Sequence, residues 1–203
     1  MRRNRGPLGE LMTVRKATSD DALSIAKVVI GGWQATYPGV LDEDYLAELS
    51  VDVRAERERA YLDDIAAGNR DMAMFVAEDG DGKVVGFLRG QMFAYETREP
   101  EGDLSAIHVE GSHQGQGIGA ALTSKFITWL LAIGVRRMST WAFEGNTKGR
   151  AFYSRLGGRL LPEKRAFDIG GQEVEAVAYA WDDVEKLRSL VEKGRAGRGC
   201  RDG

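Results

Sequence analysis

The sequence predicts a single domain of mixed α and β structure, an α/β (α+β) fold. Three observations predict it: a length of 203 residues, a hydrophobic content of 43%, and segments of helical and strand periodicity that alternate along the chain. A chain of this length holds one full core. Its 28 basic and 31 acidic residues give a net charge of only −3. With the high hydrophobic content, this low charge excludes a chain that is disordered along its whole length. It also argues against nucleic acid as the main partner.

The first half of the domain contains a strand at 13–16, a helix from 19 to about 30, a helical region from 42 to 67, and strands at 72–78 and 83–93. Ser19 to Asp21 supply the helix cap, and Gly31-Gly32 are predicted to end that helix. The charged run at 54–59 predicts a solvent-exposed helix face, because charges four residues apart pair there. The Gly- and Asp-rich segment at 79–82 predicts an antiparallel hairpin.

The second half is predicted to contain strands at 103–109, 137–143, 159–167 and 174–181, with helices at 117–133 and 146–156. An apolar stripe that starts at Ile118 recurs at helical spacing and supports the first of these helices. Gly170-Gly171 mark the turn of a final hairpin. The composition predicts a disordered basic N-terminus over 1–12, one domain over 13–185, and a frayed helix with a disordered tail over 186–203.

The cysteine content and the hydropathy predict a cytoplasmic protein. Cys200 is the single cysteine, so the chain holds no internal disulfide and no cysteine-based zinc cluster, and no metal is expected. The longest strongly apolar stretch, 126–135, is far shorter than the ~20 residues that span a bilayer. The basic start of the chain is not followed by an apolar segment of the signal-peptide type.

The most specific local pattern is Gln114-Gly115-Gln116-Gly117-Ile118-Gly119-Ala120, which follows a strand and opens a helix. Glycines let backbone amides approach an anion, and the helix N-terminus adds positive charge, so the pattern predicts a pyrophosphate cradle. A dinucleotide fingerprint also fits, although the hairpins on either side argue against that fold. A plain tight turn is the structural alternative, and a Walker loop is excluded because no Lys-Ser or Lys-Thr follows.

Two motifs in this order and spacing resemble the GNAT superfamily of acetyl-CoA-dependent N-acetyltransferases. The first is Gln114 to Gly119 after the strand 104–109, and the second is Asn146 followed by Phe152-Tyr153 and a glycine at 157. The aromatic segment 33–39 is similar to the first loop of many bacterial members. The resemblance extends from residue 13 to about 183, and implies a mixed, mainly antiparallel central sheet, splayed at the fourth strand, with helices on both faces.

The resemblance also implies where acetyl-CoA binds. Backbone groups of Ile107 and Val109 would bond the pantetheine arm, the amides of 115–120 would hold the pyrophosphate, and Asn146 would lie near the thiol end. The oxyanion of the reaction would meet the amide of Ile107 or His108. The implied cofactor-binding set is Ile107, His108, Val109, Gln114, Gly115, Gln116, Gly117, Ile118, Gly119, Ala120, Asn146 and Tyr153.

The implied activity moves an acetyl group from acetyl-CoA to a primary amine, by direct attack in a ternary complex. Tyr153 matches the tyrosine that acts as general acid in the family, while Asp103 is the first candidate for the base, with water, His108 and Glu144 as alternatives. Trp33 and Tyr37 either line the acceptor pocket or pack in the core. The alternative function is a non-catalytic acyl-CoA-binding or regulatory module. A homodimer is expected from the resemblance alone.

Overall fold

The computed structural model of the chain describes residues 12–94, 99 and 101–199. Residues 1–11 of the predicted disordered N-terminus (1–12), and residues 200–203 of the predicted frayed helix and tail (186–203), lie outside the described residues. The strands are β1 (Thr13–Lys16), β2 (Met72–Glu78), β3 (Val84–Phe93), β4 (Glu101–Val109), β5 (Met138–Phe143), β6 (Arg159–Ile169) and β7 (Gln172–Trp181). The helices are α1 (Ala22–Thr36), α2 (Glu43–Ala47), α3 (Val51–Ala66), α4 (Ile118–Ala132), α5 (Thr147–Arg155) and α6 (Val184–Gly199).

These strands form one sheet in the order β1-β2-β3-β4-β5-β7-β6. Both predicted hairpins, β2–β3 and β6–β7, are antiparallel. Within the described chain, β4 and β5 make the single parallel pair, and it joins only Gly102 to Met138 and Asp103 to Ser139. The predicted mixed, mainly antiparallel sheet that splays at its fourth strand is therefore confirmed.

Helices cover both faces of the sheet, as predicted. On one face α4, α5 and α6 bury side chains that include Leu122, Tyr153 and Leu187. On the other face α1 and α3 bury Ile25 and Leu62 against β2 and β3. Leu187 lies beyond the domain boundary predicted at residue 185, so the packed core extends into α6.

The prediction that Gly31-Gly32 end the first helix is wrong, because α1 continues to Thr36. Glycine inside a helix costs only about 1 kcal/mol relative to alanine, and tertiary packing compensates for it here. A Cβ atom on Gly32 would lie 2.8 Å from Nδ1 of His108 on β4. The glycine therefore permits a close approach of α1 to the sheet, and Trp33 lies on the helix rather than in a loop.

The prediction of a solvent-exposed face for the charged run 54–59 is also wrong at one position. Glu58 of α3 is fully buried. Its carboxylate forms a salt bridge with Arg54 at 2.6 Å, four residues earlier, and a second one with Arg89 of β3 at 3.4 Å. The first pair follows the predicted helical spacing, whereas the second partner is supplied by the sheet and cannot be inferred from the spacing of charges along α3.

No helix among the described residues has the length and hydrophobicity needed to cross a membrane. The same part of the chain contains no group of three or more His, Cys, Asp or Glu side chains arranged to hold a metal ion.

Candidate active site

The sheet opens between β4 and β5 because the two strands diverge after Asp103. Ser105, two residues further along β4, is the extra residue of a β-bulge against β3, and bulges increase the local twist of a strand. A side-chain contact spans the base of the opening, where Oγ1 of Thr140 donates a hydrogen bond to the carbonyl oxygen of Leu104 at 2.7 Å. Beyond this contact, the β5 side of β4 is an unpaired strand edge.

The backbone groups on that edge belong to Ile107 and Val109. The amide of Glu110 donates to Val85 of β3 at 2.8 Å, and alternate residues of a strand direct their backbone groups to the same side. The amides of His108 and Ala106 therefore point to β3, whereas those of Ile107 and Val109 point into the opening. This alternation directs the amides of the predicted pantetheine-binding pair into the opening, whereas the carbonyl oxygen of Val109 accepts a hydrogen bond from the Gln114 side chain.

His108 occupies a different environment from its two neighbours. Its ring stacks on Phe87, with centroids 5.7 Å apart and planes 2° from parallel, on the face covered by α1. Burial lowers the pKa of His108 to about 4, and the nearby charges of Arg54 and Arg89 act in the same direction. The side chain is therefore neutral at neutral pH. Because its backbone is paired with β3, the geometry favours Ile107 over His108 as the oxyanion donor.

The glycine-rich segment follows β4 after a short 3-10 turn at Gly111–His113, and it leads into α4. Gly115 and Gly117 adopt left-handed conformations with φ values of 79° and 86°, and Gly117 caps α4. The first amides of a helix have no carbonyl partner within it, so those of Ile118, Gly119 and Ala120 are available to an anion. The side chains of Ile118 and Ala120 are buried in the core, which leaves their backbone as the part that can bind a ligand.

Two glutamines fix the shape of this loop rather than projecting from it. Nε2 of Gln114 donates to the carbonyl oxygen of Val109 at 3.1 Å, and Nε2 of Gln116 donates to that of Ser112 at 3.2 Å. At the helix start, a Cβ atom on Gly119 would lie 3.1 Å from the ring of Phe152 on α5. The small residue thus lets α4 and α5 meet beside the opening.

Tyr153 projects from α5 onto the sheet and is only 6% exposed. Burial raises the pKa of Tyr153 to about 12, an effect that the neighbouring Thr140 hydroxyl offsets only in part. The charges of Tyr37 and Asp103, when ionised, raise it further, so both groups lie within electrostatic range of the Tyr153 hydroxyl. At neutral pH this hydroxyl holds its proton.

Asp103 lies where β4 and β5 part, on the wall of a cleft. Its carboxylate accepts hydrogen bonds from Ser105 Oγ at 2.6 Å and from Gln91 Nε2 at 3.2 Å. Burial raises the pKa of Asp103 above its usual value, although those hydrogen bonds and the charge of Arg89 oppose the shift. A carboxylate with a raised pKa is a stronger base, which suits a group that accepts a proton.

The cleft has a volume of about 360 Å³ and opens on the face covered by α1 and α3. Most of its walls are aromatic or charged side chains from α3, β3, β4, β5 and β6. The residues that line it are Tyr61, Met72, Arg89, Gly90, Gln91, Phe93, Asp103, Leu104, Ser105, Trp141, Arg165 and Phe167. Its volume falls in the range of about 300–1,000 Å³ that is typical of small-molecule sites.

Trp33 and Tyr37 do not line this cleft. Their rings contact each other at 5.4 Å and both contact Phe143, in a small cluster beside the opening. The hydroxyl oxygen of Tyr37 accepts a hydrogen bond from Nδ2 of Asn146 at 3.1 Å, while Oδ1 of Asn146 accepts one from the Gly149 amide. Asn146 thus caps α5 and binds Tyr37 with the same side chain that was predicted to approach the cofactor.

Glu144, the third side-chain candidate for the base, is partly exposed and bonded to Lys164 at 3.2 Å. That contact lowers the pKa of Glu144, which makes it a weaker base than Asp103.

A model of the acetyltransferase (GNAT) family matches residues 39–158, more than half of the chain. This chain belongs to the GNAT acetyltransferase family. An uncharacterized N-acetyltransferase of Bacillus subtilis, YuaI, is 31% identical over 183 residues, which cover 90% of this chain and 100% of that protein.

Solved structures of GNAT proteins share the fold. The PaiA N-acetyltransferase of Thermoplasma acidophilum, solved with coenzyme A, is 17% identical with a TM-score of 0.62, covering 84% of this chain and 99% of that one. YncA of Salmonella typhimurium, solved with its cofactor acetyl-CoA, is 18% identical with a TM-score of 0.56, covering 85% of this chain and 94% of that one.

Several cleft residues of this GNAT protein were not identified from the sequence. Tyr61 lies in a segment predicted only as helical and Arg89 in a predicted apolar strand. Trp141 and Arg165 lie in strands without a distinctive motif. A charged residue in an otherwise apolar strand, as Arg89 is in β3, is the signal that could have identified it, because such a charge needs a partner or a ligand.

Proposed function

We propose that this protein is an acetyl-CoA-dependent N-acetyltransferase that acetylates a primary amine by direct attack in a ternary complex. The observation that carries the proposal is the opening between β4 and β5, with the amides of Ile107 and Val109 directed into it from one edge. The glycine cradle lies at one end of this edge, and Asp103 lies at the other, in electrostatic range of Tyr153. The relatives solved with coenzyme A or acetyl-CoA support the same cosubstrate.

In the proposed reaction the amine nitrogen attacks the thioester carbonyl carbon, the C–N bond forms, and an oxyanion develops. The Ile107 amide donates to that oxyanion, which is the kind of preorganised contact that lowers such barriers most. The C–S bond then breaks, and sulfur leaves with the bonding electrons and takes up one proton. The nitrogen releases one proton to Asp103 or to water, so the products are an amide and a free thiol.

Tyr153 supplies a hydrogen bond, and then a proton, to the departing sulfur. A thiol with a pKa near that of cysteine, about 8.5, is a stronger acid than a phenol whose pKa is raised to about 12. The hydrogen bond formed as the C–S bond breaks is therefore the larger part of the contribution. A buried, protonated hydroxyl beside the opening favours an enzyme over a non-catalytic acyl-CoA-binding module, which would need no such group.

Cofactor binding is expected to raise the melting temperature. At 100 times its dissociation constant, acetyl-CoA adds about 2.7 kcal/mol to the free energy of unfolding, which corresponds to roughly 5–10 °C for a domain of this size. Free CoA should give a similar shift and NAD none, measured by differential scanning fluorimetry. A shift with NAD alone would favour the dinucleotide interpretation of the glycine segment. Thiol release with an amine panel separates the enzyme from the binding module.

Asp103→Asn is expected to lower kcat/KM and to move the ascending limb of its pH profile to higher pH. The raised pKa means that ionised Asp103 reduces folded-state stability as pH rises through that pKa. The uncharged asparagine removes this cost, so the variant should be at least as stable as the parent at neutral pH. The measurement is kcat/KM from pH 5 to 10, together with urea unfolding.

Glu144→Gln is the matched control, because Glu144 is the alternative carboxylate and is partly exposed. Its profile should follow that of the parent protein. If Glu144→Gln shifts the profile and Asp103→Asn does not, the base has been assigned to the wrong residue.

A further inference from the structure

Among the described residues, the charged side chains that line the cleft are those of Arg89, Arg165 and Asp103. The carboxylate is the proposed proton acceptor, so the two guanidinium groups have no part in the chemistry of the preceding section. Their positions on opposite sides of the cleft, one on β3 and one on β6, point instead to recognition of the acceptor.

Arg89 is held in place by two residues of α3. Its Nη1 donates to Oε2 of Glu58 at 3.4 Å, and its guanidinium carbon lies 4.2 Å from the centre of the Tyr61 ring. Glu58 is fully buried, and its other oxygen is engaged by Arg54 at 2.6 Å. One carboxylate therefore serves two guanidinium groups, and the positive charge of this cluster is only half neutralised.

Buried ion pairs contribute little net stability, since desolvation offsets most of their attraction. The cluster of Glu58, Arg54 and Arg89 is thus poorly explained as a stabilising device. It does fix the orientation of Arg89, whose guanidinium remains part of the cleft wall while its own side chain is 17% exposed.

Arg165 has a different setting on the other side. It is exposed on β6, and its guanidinium carbon lies 4.9 Å from the centre of the Phe167 ring. Among the described residues, no carboxylate within 4 Å is paired with it. A planar guanidinium set against an aromatic ring is a common arrangement for bidentate binding of carboxylate or phosphate.

We infer that the acceptor is a small amine that also carries an anionic group, a carboxylate or a phosphate-like group, and an apolar side group. This inference rests on the proposed acetyltransferase function. The anionic group would pair with Arg89 and Arg165, the apolar group would contact Trp141 and Phe167, and the amine would face Asp103. An acceptor with only positive charges would meet two guanidinium groups and, among the described residues that line the cleft, one carboxylate, that of Asp103.

The test compares acceptors that differ in the anionic group alone. L-phenylalanine, its 1-amino-2-phenylethylphosphonate analogue, L-phenylalanine amide and phenethylamine share an amine and an aromatic ring. The ammonium group of the amide is more acidic than that of L-phenylalanine, so a larger fraction of the amide is free amine at neutral pH. Without recognition of the anionic group, the amide would therefore be the more reactive acceptor. We expect kcat/KM for at least one anionic amine to exceed that for the amide by about 10-fold or more, as expected from a charge-assisted contact. The two anionic arms distinguish carboxylate from phosphonate.

Arg165→Gln is expected to reduce that acid-to-amide ratio by about 10-fold. Arg159→Gln, on the same strand but paired with Asp182 and remote from the cleft lining, is the matched control and should keep the ratio. Arg89→Lys retains a charge for Glu58 but loses the planar fork, so the ratio should fall while the protein stays folded. The inference is overturned if L-phenylalanine amide or phenethylamine is acetylated as efficiently as the anionic amines. It is also overturned if the acid-to-amide ratio is unchanged in Arg165→Gln.

Binding keeps this test separate from the acetyltransferase proposal. If acetyl-CoA binds and no amine is acetylated, that proposal fails. The inference is then decided by calorimetric titration of L-phenylalanine, its phosphonate analogue and its amide into CoA-saturated protein. Binding that requires the anionic group and weakens in Arg165→Gln supports it, whereas equal binding of the amide, or absence of binding by all three, contradicts it.

Discussion

Replacing Tyr153 by phenylalanine is expected to lower kcat by about 10²- to 10⁴-fold, the usual contribution of a positioned acid. The substitution keeps the ring, which packs against Phe152, Tyr179 and Trp181, and removes the hydroxyl beside the opening. Stability and CoA affinity should therefore hold. Single-turnover measurement of acetyl transfer reports the chemical step directly. The loss should shrink with an acyl donor whose thiol has a low pKa, because such a group needs less help to leave.

Tyr179→Phe is the matched control for this experiment. Tyr179 belongs to the same aromatic cluster and is equally buried, but its hydroxyl contacts Arg150 at 3.5 Å. Its loss should leave kcat within a few-fold of the parent. A folded Tyr153→Phe protein with near-parental single-turnover rate would remove Tyr153 from the mechanism and leave catalysis to proximity and the oxyanion contact.

Gly117→Val is expected to weaken CoA binding by about 100-fold or more, because a side chain would occupy the space where backbone amides meet the pyrophosphate. With a φ of 86°, the position also strains any other residue by about 1–2 kcal/mol. The change therefore costs stability as well as affinity. Isothermal titration calorimetry with CoA measures the affinity, and thermal unfolding measures the strain.

Gly134→Val separates these two effects. Gly134 lies just beyond the opposite end of α4, has a φ of 80°, and has open space around its Cβ position. It should lose a similar amount of stability and retain CoA affinity. If the two variants bind CoA equally well, the glycine segment is a structural turn and not a cradle.

Local patterns were sufficient to predict most of the fold. Cap residues, glycine turns and the apolar stripe of α4 act within a few positions of one another, so the strands and hairpins follow from the sequence directly. The first helix was predicted too short because the contact that compensates for Gly32 comes from His108, 76 positions along the chain. A pattern confined to one segment contains no information about that partner.

The residues of the candidate site also fall into two groups, those that a local motif identifies and those that depend on a distant partner. The glycine segment and Tyr153 belong to contiguous motifs and could be identified by resemblance. Glu58 and Arg89 could not be identified, because the role of each depends on its contact with the other. The charged run on α3 has the composition of an exposed face. Asn146 was identified, and its bond to Gly149 is local to α5, but its bond to Tyr37 depends on the end of α1, which is 109 positions away in the chain.

The edge of β4 that pairs with no strand beyond Asp103 could also promote aggregation, and neighbouring elements of the fold restrict access to it. Free backbone groups at the outer edge of a sheet attract strands from other molecules. Here the edge faces β5, which is joined to β4 at Asp103 and Ser139, while α4 and α5 meet beside the gap at Gly119 and Phe152. β5 and the contact between the two helices therefore stand between this edge and the strands of other molecules. The fold thereby protects an edge that would otherwise promote association, without pairing that edge with a strand of its own.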